Sequence, residues 1–186
     1  MDTVKNPWTV VSEKTMYDNS WIRVNEFDVI NPNGGAGIYG KVHFKNTAIG
    51  VLPLDSNLDT YLVGQYRFTL DAYSWEIPEG GGLSSEDPLD AAKRELVEET
   101  GLIAKEWNQL LVMHLSNSIS DEYAVLFLAR DLEQSIPTPD DTEKLTIRKL
   151  PFEEAFSMVE QGLITDAISV AVIQKVKLML IQGKIK

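Results

Sequence analysis

Cysteine is absent from the 186 residues, and histidine occurs only twice, as His43 and His114. Without thiols the chain has no disulfide bonds, no cysteine-based zinc finger and no thiol catalysis. The two histidines lie far apart in apolar, strand-like runs, which favours structural positions over a metal site or a catalytic triad. The chemistry of the chain must therefore rest on other side chains.

Basic residues are also scarce: 17 lysines and arginines are outnumbered by 28 aspartates and glutamates, which gives a net charge of −11. Long nucleic acids need lysine and arginine to neutralise their phosphates, so they are not expected as ligands. No apolar run is long enough to span a bilayer, and the first residues lack the basic and apolar regions of a secretory signal. We therefore expect a cytoplasmic protein that binds neither nucleic acid nor membrane.

The negative charge is concentrated in one segment. Between Glu76 and Glu99, eight acidic residues are accompanied only by the basic residues Lys93 and Arg94. More than half of the net charge therefore lies in this segment. A small anion can still bind there when metal ions are present, because bound cations reverse the local field.

The same segment ends in a helix whose boundaries the sequence predicts. Asp87 is a good N-cap residue, and Pro88 suits the first helical position, where its missing N–H is harmless. Gly101 can adopt the left-handed conformation that closes a helix. Between these residues, three glutamates at spacing i, i+3 and i+4 share one helix face: Glu95, Glu98 and Glu99.

Three carboxylates on one helix face repel one another unless a cation lies among them. Hard divalent ions such as Mg²⁺ prefer oxygen ligands and suit this cluster. A solvated acidic surface is the alternative that the spacing alone leaves open.

The whole stretch Gly80–Leu102 reads G-x5-E-x7-R-E-L-x-E-E-x-G-L, and this pattern resembles the signature box of the Nudix hydrolases. That family cleaves nucleoside diphosphates linked to another group, so the resemblance implies an enzyme with Mg²⁺, or Mn²⁺, as its cofactor. The implied metal ligands are carboxylates and the main chain before the helix: Glu95, Glu98, Glu99, and the carbonyl of Glu79 beside Gly80. Arg94 and Glu86 would orient the loop and the helix through ion pairs.

Two motifs before the box resemble the ADP-ribose and sugar-nucleotide pyrophosphatase branch of the family. Gln65-Tyr66-Arg67 resembles a Q-[YF]-R motif, and Trp75–Gly80 resembles a W/L-E-x-P-A-G motif. The resemblance implies that Arg67 binds the diphosphate and that Glu76 binds the nucleotide or its ribose. The planar fork of arginine suits phosphate oxygens; a surface arginine paired with a carboxylate is the alternative.

The chain departs from this branch at two positions that relate to substrate choice. Asn117 takes the place of a substrate-diagnostic proline of ADP-ribose pyrophosphatases. Ile168 takes the place of a lysine associated with nucleoside-diphosphate-sugar hydrolases. The resemblance therefore predicts the chemistry better than it predicts the substrate.

In this branch, an acidic loop after the box supplies the glutamate that activates the attacking water. The corresponding loop here covers residues 136–145, and position favours Glu143, with Asp141 as the second candidate. Water activation by Glu98 at the metal is the rival hypothesis. The predicted catalytic residues are therefore Glu98, Glu99, Glu143 and Arg94.

The predicted architecture is an α/β fold with two portions. Alternating apolar and polar residues predict antiparallel strands in residues 1–45, and the resemblance implies that this β-rich portion forms a homodimer. Trp21, or Tyr17, is the candidate for stacking on the nucleotide base. Residues 46–186 combine strands, the box helix, further strands and two helices, which predicts a Nudix-type α/β/α sandwich around a mixed sheet.

The predicted function is metal-dependent hydrolysis of the diphosphate linkage in a small nucleoside diphosphate derivative. The expected substrate is ADP-ribose, cleaved to AMP and ribose 5-phosphate, or an ADP- or NDP-sugar. Two alternatives stay open. One is another Nudix pyrophosphohydrolase specificity, such as a dinucleotide; the other is a Nudix domain that senses a nucleotide without cleaving it.

Overall fold

The computed structural model describes residues 5–136 and 144–186, and these residues form two compact units. Unit 1 comprises residues 5–46 together with His114–Glu122, and unit 2 comprises Thr47–Met113 and Tyr123–Lys186. The sequence does not anticipate that His114–Glu122 belongs with the N-terminal residues. The domain boundary between residues 45 and 46 stays a prediction.

Unit 1 is built on three antiparallel strands: β1 Thr9–Asp18, β2 Ile22–Ile30 and β3 Ala36–Phe44. Their order in the sheet is β1-β2-β3. Asn19 shapes the connection between β1 and β2, because its side-chain oxygen accepts hydrogen bonds from the N–H groups of Trp21 and Ile22. Asparagine commonly forms turns in this way. The predicted antiparallel sheet in the N-terminal portion is confirmed.

Asp121 ties the segment His114–Glu122 to β3. Its carboxylate accepts hydrogen bonds from Lys41 Nζ at 2.8 Å and from Phe44 N–H at 3.0 Å, and lies 2.7 Å from His43 Nδ1. Burial disfavours the ionised form, but these three partners together lower the pKa of Asp121 from 3.8 to about 2. Asp121 therefore holds the segment His114–Glu122 against β3 within unit 1.

Unit 2 contains two sheets. One consists of β4 Asn46–Pro53, β7 Glu79–Leu83, β8 Leu102–His114 and β9 Tyr123–Gln134, in the order β7-β4-β9-β8. The other consists of β5 Asp59–Arg67, β6 Ala72–Glu76 and β10 Thr146–Pro151, in the order β10-β5-β6. β4 and β9 are parallel, whereas β5 is antiparallel to both of its neighbours.

Three helices complete unit 2: α1 Pro88–Thr100, α2 Phe152–Glu160 and α3 Ala167–Ile181. The predicted ends of α1 are confirmed. The Asp87 side chain accepts a hydrogen bond from Leu89 N–H at 2.9 Å, and Gly101, at φ 68°, closes the helix in the left-handed conformation. In the part of the chain that the structure describes, no helix is long and apolar enough to cross a membrane.

α1 and α3 lie on opposite faces of the four-stranded sheet. Ile49 and Val51 of β4 belong to the same buried cluster as Ala91 of α1. Gly50, between them, faces the other side, where a Cβ would lie 2.6 Å from Ile168 Cγ2 of α3. Since side chains alternate along a strand, the two helices cover the two faces, which agrees with the predicted α/β/α sandwich.

The sequence does not predict β6 or β7. Glu79–Leu83, which includes Gly80, Gly81 and Gly82, forms a strand at an edge of the four-stranded sheet. A Cβ on Gly82 would lie 3.1 Å from Ala91 Cβ and 3.3 Å from Ile49 Cγ1. The glycine therefore permits close packing of β7 against α1.

Candidate active site

The three glutamates of α1 lie in unequal environments. Glu95 and Glu99 are buried, at 8% and 3% exposure, whereas the side chain of Glu98 is 37% exposed. Because a buried carboxylate is costly unless its charge is compensated, this helix face differs from the solvated acidic surface of the alternative interpretation.

The main chain of Glu79 and Gly80 lies directly against these carboxylates. Glu79 N–H donates a hydrogen bond to Glu99 Oε2 at 2.9 Å. A Cβ on Gly80 would collide with the carboxylate of Glu95, so only glycine leaves room for this side chain. Four of the five predicted metal-binding residues are thus neighbours across the interface of β7 and α1.

Arg94 supplies positive charge to the cluster. Its Nη1 donates to Glu95 Oε1 at 2.8 Å and to Glu98 Oε2 at 2.9 Å, and its Nη2 donates to Glu86 Oε2 at 3.2 Å and to Gly81 O at 3.1 Å. The hydrogen bonds to Glu86, and then those to Glu95 and Glu98, raise the pKa of the guanidinium against the effect of burial. The predicted ion pair between Arg94 and Glu86 is present and joins the loop to the helix.

Arg67 is held by two carboxylates at the end of β5. Its Nε donates to both carboxylate oxygens of Glu76 at 3.0 Å, and its Nη2 donates to Glu79 Oε1 at 2.7 Å. Burial alone would lower the pKa of Arg67, but Glu76, Glu79 and Asp166 raise it. The side chain is 33% exposed. This pairing with carboxylates matches the alternative interpretation, although it also places Arg67 beside Glu79 at the start of β7. Phosphate binding by Arg67 stays a prediction.

The carboxylate of Glu79 also belongs to the cluster, although the sequence predicts a role only for its main-chain carbonyl, as a metal ligand. Burial, followed by the charges of Asp166 and Glu76, raises the pKa of Glu79 well above its ordinary value, and Arg67 opposes this shift. Among the described residues, Glu79 Oε2 is buried without a hydrogen-bond partner. Sequence reasoning assigns Asp166 no role at the site, because its position before α3 indicates only an N-cap.

The donor atoms of the cluster fit a hard divalent cation. Carboxylate and carbonyl oxygens are the ligands that such ions prefer, and a cation would compensate the burial of the Glu95 and Glu99 carboxylates. Across residues 5–136 and 144–186, however, no group of three acidic or histidine side chains is arranged to hold a metal ion. Arg94 Nη1 bridges Glu95 Oε1 and Glu98 Oε2, so the guanidinium would share these two carboxylates with a bound ion.

The other predicted residues belong to unit 1 or are not among the described residues. Trp21 and Tyr17 belong to unit 1, where they are 68% and 54% exposed. Glu143 and Asp141 lie outside the described residues, so their role in activating water stays a prediction.

A family model for the NUDIX domain matches residues 45–169. The chain belongs to the Nudix family. A second model, the nucleoside diphosphate sugar hydrolase N-terminal domain, matches residues 8–42. This second match covers the three-stranded sheet of unit 1.

Curated relatives of this Nudix chain include three pyrophosphatases of similar length. The ADP-ribose pyrophosphatase of Mycobacterium tuberculosis is 29% identical over 90% of this chain and 82% of the relative. The ADP-ribose pyrophosphatase of Bacillus subtilis is 29% identical over 90% of this chain and 91% of the relative. A GDP-mannose pyrophosphatase of Yersinia enterocolitica is 25% identical over 86% of this chain and 90% of the relative.

A solved structure confirms the Nudix fold. The crystal structure of an ADP compounds hydrolase matches with a TM-score of 0.86 and covers 98% of this chain and 100% of that chain. At 20% sequence identity, this likeness concerns the fold alone.

Proposed function

We propose that this Nudix hydrolase cleaves the diphosphate linkage of a nucleoside diphosphate that carries a sugar, with ADP-ribose as the first candidate. The observation that carries the proposal is that Glu95 and Glu99 of α1 contact the main chain of Glu79 and Gly80. Arg67 lies beside them, bonded to the Glu79 side chain. Relatives described as ADP-ribose and GDP-mannose pyrophosphatases support it. The N-terminal family model, which is named for nucleoside diphosphate sugar hydrolases, supports the sugar-linked class.

As a Nudix hydrolase the chain uses a divalent metal ion, and we propose Mg²⁺, with Mn²⁺ as a substitute. The proposed ligands are the α1 carboxylates and one carbonyl: Glu95, Glu98, Glu99, and Glu79 O beside Gly80. When bound, the metal supplies positive charge that neutralises the diphosphate as the phosphorus–oxygen bond breaks.

The protein groups around the ligands have separate proposed roles. The bonds of Arg67 to Glu76 and Glu79 use Nε and Nη2, so Nη1 can donate to a phosphate oxygen. Arg94 fixes the loop against α1. Glu98, the most exposed of the three α1 glutamates, is a candidate to accept the proton of the attacking water, and Glu143 is the other.

In the proposed reaction, water attacks one phosphorus of the diphosphate and the bond from that phosphorus to the bridging oxygen breaks. The proton of the water passes to the activating carboxylate. ADP-ribose would yield AMP and ribose 5-phosphate.

We further propose that the chain forms a homodimer through unit 1. All ten residues of β1 are exposed, although they include Val10, Val11 and Met16. β1 is also an edge of its three-stranded sheet, and the unpaired main-chain groups of an edge strand can pair with another chain.

We propose that Trp21, in the same unit, stacks on the nucleotide base. Localisation in the cytoplasm stays a prediction from the sequence.

A substrate panel tests the proposed function. We expect ADP-ribose to give the highest kcat/KM among ADP-ribose, ADP-glucose, GDP-mannose, NADH and a dinucleoside polyphosphate, all with Mg²⁺, and chelation by EDTA to abolish turnover. Preference for GDP-mannose would move the assignment to another sugar nucleotide. Tight binding of a nucleotide without cleavage of any would contradict the enzyme proposal and favour a sensor.

A further inference from the structure

The first turn of α3 contacts the main chain that leads into the candidate site. Ser169 Oγ accepts a hydrogen bond from Ile77 N–H at 2.9 Å, and both residues are fully buried. Ile77 lies in the connection between β6 and β7, two residues before Glu79. Because water does not reach this N–H, the serine hydroxyl is the group that compensates its burial.

Ser169 is itself held in place by its neighbours on α3. Its N–H donates to Asp166 Oδ2 at 2.7 Å, which caps the helix. The adjacent Ile168 fills the space above Gly50, where a Cβ would lie 2.6 Å from Ile168 Cγ2. The hydroxyl therefore belongs to a helix end that is fixed on β4.

Two further bonds hold the residues that follow Ile77. Val51 N–H donates to Pro78 O at 2.9 Å, and Glu79 N–H donates to Glu99 Oε2 at 2.9 Å. Three consecutive residues are thus attached to three different elements, namely α3, β4 and α1. Of these three elements, α3, which carries Ser169, is the farthest from Ile77 in the sequence.

We propose that Ser169 is a positioning residue for the metal site. Its hydroxyl fixes Ile77 and thereby the path of the main chain at Glu79, so that the Glu79 carbonyl faces the carboxylates of Glu95 and Glu99. Ser169 touches neither metal nor substrate in this assignment, which rests on the metal site of the proposed function.

Binding of Mn²⁺, followed by electron paramagnetic resonance without substrate, tests the assignment. Ser169→Ala removes the acceptor, and Ser169→Cys replaces it with a poor acceptor of similar size. We expect both variants to bind Mn²⁺ at least about tenfold more weakly, the loss typical of residues that orient metal ligands. Ser169→Thr keeps the hydroxyl and should restore affinity.

The matched control is Val176→Ala, a fully buried position on α3 that lies about 10 Å further along the helix. It should lower thermal stability yet leave Mn²⁺ affinity within about twofold, because it is remote from the ligands. If Ser169→Ala unfolds, Ser169→Cys decides the outcome.

The possible results separate the two claims. If wild type binds Mn²⁺ but the Ala and Cys variants bind equally well, or Val176→Ala weakens binding as much, the assignment of Ser169 is wrong and the metal site is retained. If wild type does not bind Mn²⁺, or Glu99→Gln binds it as tightly as wild type, the proposed metal site itself is wrong.

Discussion

At the level of single residues, Arg94 and the proposed metal ion share two carboxylates. The guanidinium bonds to Glu95 and Glu98 through one nitrogen, and these are oxygens that the ion would use. Its second nitrogen holds Glu86 and Gly81. Because each carboxylate has a second oxygen and further lone pairs, Arg94 can keep both pairs of contacts, and so orient the loop, while these carboxylates also bind the ion.

Gly80 offers a direct test of how closely the main chain must approach Glu95. Gly80→Ala places a Cβ against the Glu95 carboxylate, so this side chain must move away from the proposed metal position. We expect Mg²⁺-dependent kcat/KM to decrease at least about tenfold, comparable with the loss of a group that orients a ligand.

Gly37→Ala is the matched control, because among the described residues no atom beyond the two chain neighbours lies within 4 Å of a Cβ at that position. It should keep wild-type kcat/KM. Equal activity of Gly80→Ala and wild type would show that the position of Glu95 is not critical.

Asp121 gives a pH-dependent test within unit 1. Its pKa is lowered to about 2 in the folded protein, so its carboxylate stabilises the fold above an unfolded pKa of about 4. That stability disappears as pH decreases from about 4 to about 2. At pH 7, Asp121→Asn should therefore lower the free energy of unfolding by about 1 kcal/mol. This value is typical of hydrogen bonds to a charged group, reduced because the carboxylate is partly exposed to solvent.

Urea unfolding at pH 7, 5, 4 and 3 checks this expectation. The difference between wild type and Asp121→Asn should be present at pH 5 and smaller at pH 3. Glu160→Gln, at an exposed carboxylate at the end of α2, should show no such trend. If the difference in free energy of unfolding between the two proteins is the same at pH 5 and pH 3, the ionised carboxylate of Asp121 does not stabilise unit 1.

At the scale of elements, the parts that could be predicted are those that depend on nearby residues. The ends of α1 follow from Asp87, Pro88 and Gly101, whose capping bonds reach only a few positions along the chain. The shared face of its three glutamates follows from helical spacing alone. These features need no knowledge of the rest of the fold.

The parts that could not be predicted depend on distant partners. Glu79–Leu83 forms a strand because it lies beside β4, some thirty residues earlier, and its glycines give no alternating pattern. The proximity of Asp166 to Glu79 and Arg67 depends on how α3 packs on the sheet. Local sequence patterns carry no information about that packing.

The packing of α3 also explains one departure from the family pattern. Ile168 is 4% exposed and lies over Gly50, so its side chain fills the core. A double-mutant cycle tests this contact. Gly50→Ala should destabilise by about 1–3 kcal/mol through overpacking, and Ile168→Ala by about 2–5 kcal/mol through the cavity it leaves.

Ile168→Ala removes the nearest of the atoms that a Cβ at Gly50 would meet. The free-energy cost of the double variant should therefore be smaller than the sum of the two single costs by at least about 0.5 kcal/mol. Gly50→Ala combined with Val176→Ala should be additive. Urea unfolding supplies the four free energies of each cycle. Additivity of the Gly50 and Ile168 pair would show that α3 does not pack on β4 through this contact.

At the scale of the whole molecule, the exposed β1 strand makes the proposed homodimer testable. Val11→Lys adds a charge to an edge strand at a residue that is 65% exposed, which should disfavour pairing with a second strand. Light scattering after size exclusion should give wild type a mass of twice 20.8 kDa and Val11→Lys the monomer mass.

Ile181→Lys is the control for an added charge, because Ile181 is 71% exposed in unit 2. This variant should remain dimeric. A monomeric wild type, or a dimeric Val11→Lys, would contradict association through β1.

We propose that the α1 carboxylates drive metal-dependent cleavage of a nucleoside diphosphate, and product analysis with Glu99→Gln tests this proposal. Glutamine can still accept the hydrogen bond of Glu79 N–H, so the variant should fold while it loses a charged ligand. Wild type with ADP-ribose and Mg²⁺ should release AMP and ribose 5-phosphate in equal amounts, and Glu99→Gln should be slower by at least about 100-fold, the upper range for residues that only support a ligand. Equal rates for wild type and Glu99→Gln would contradict the claim.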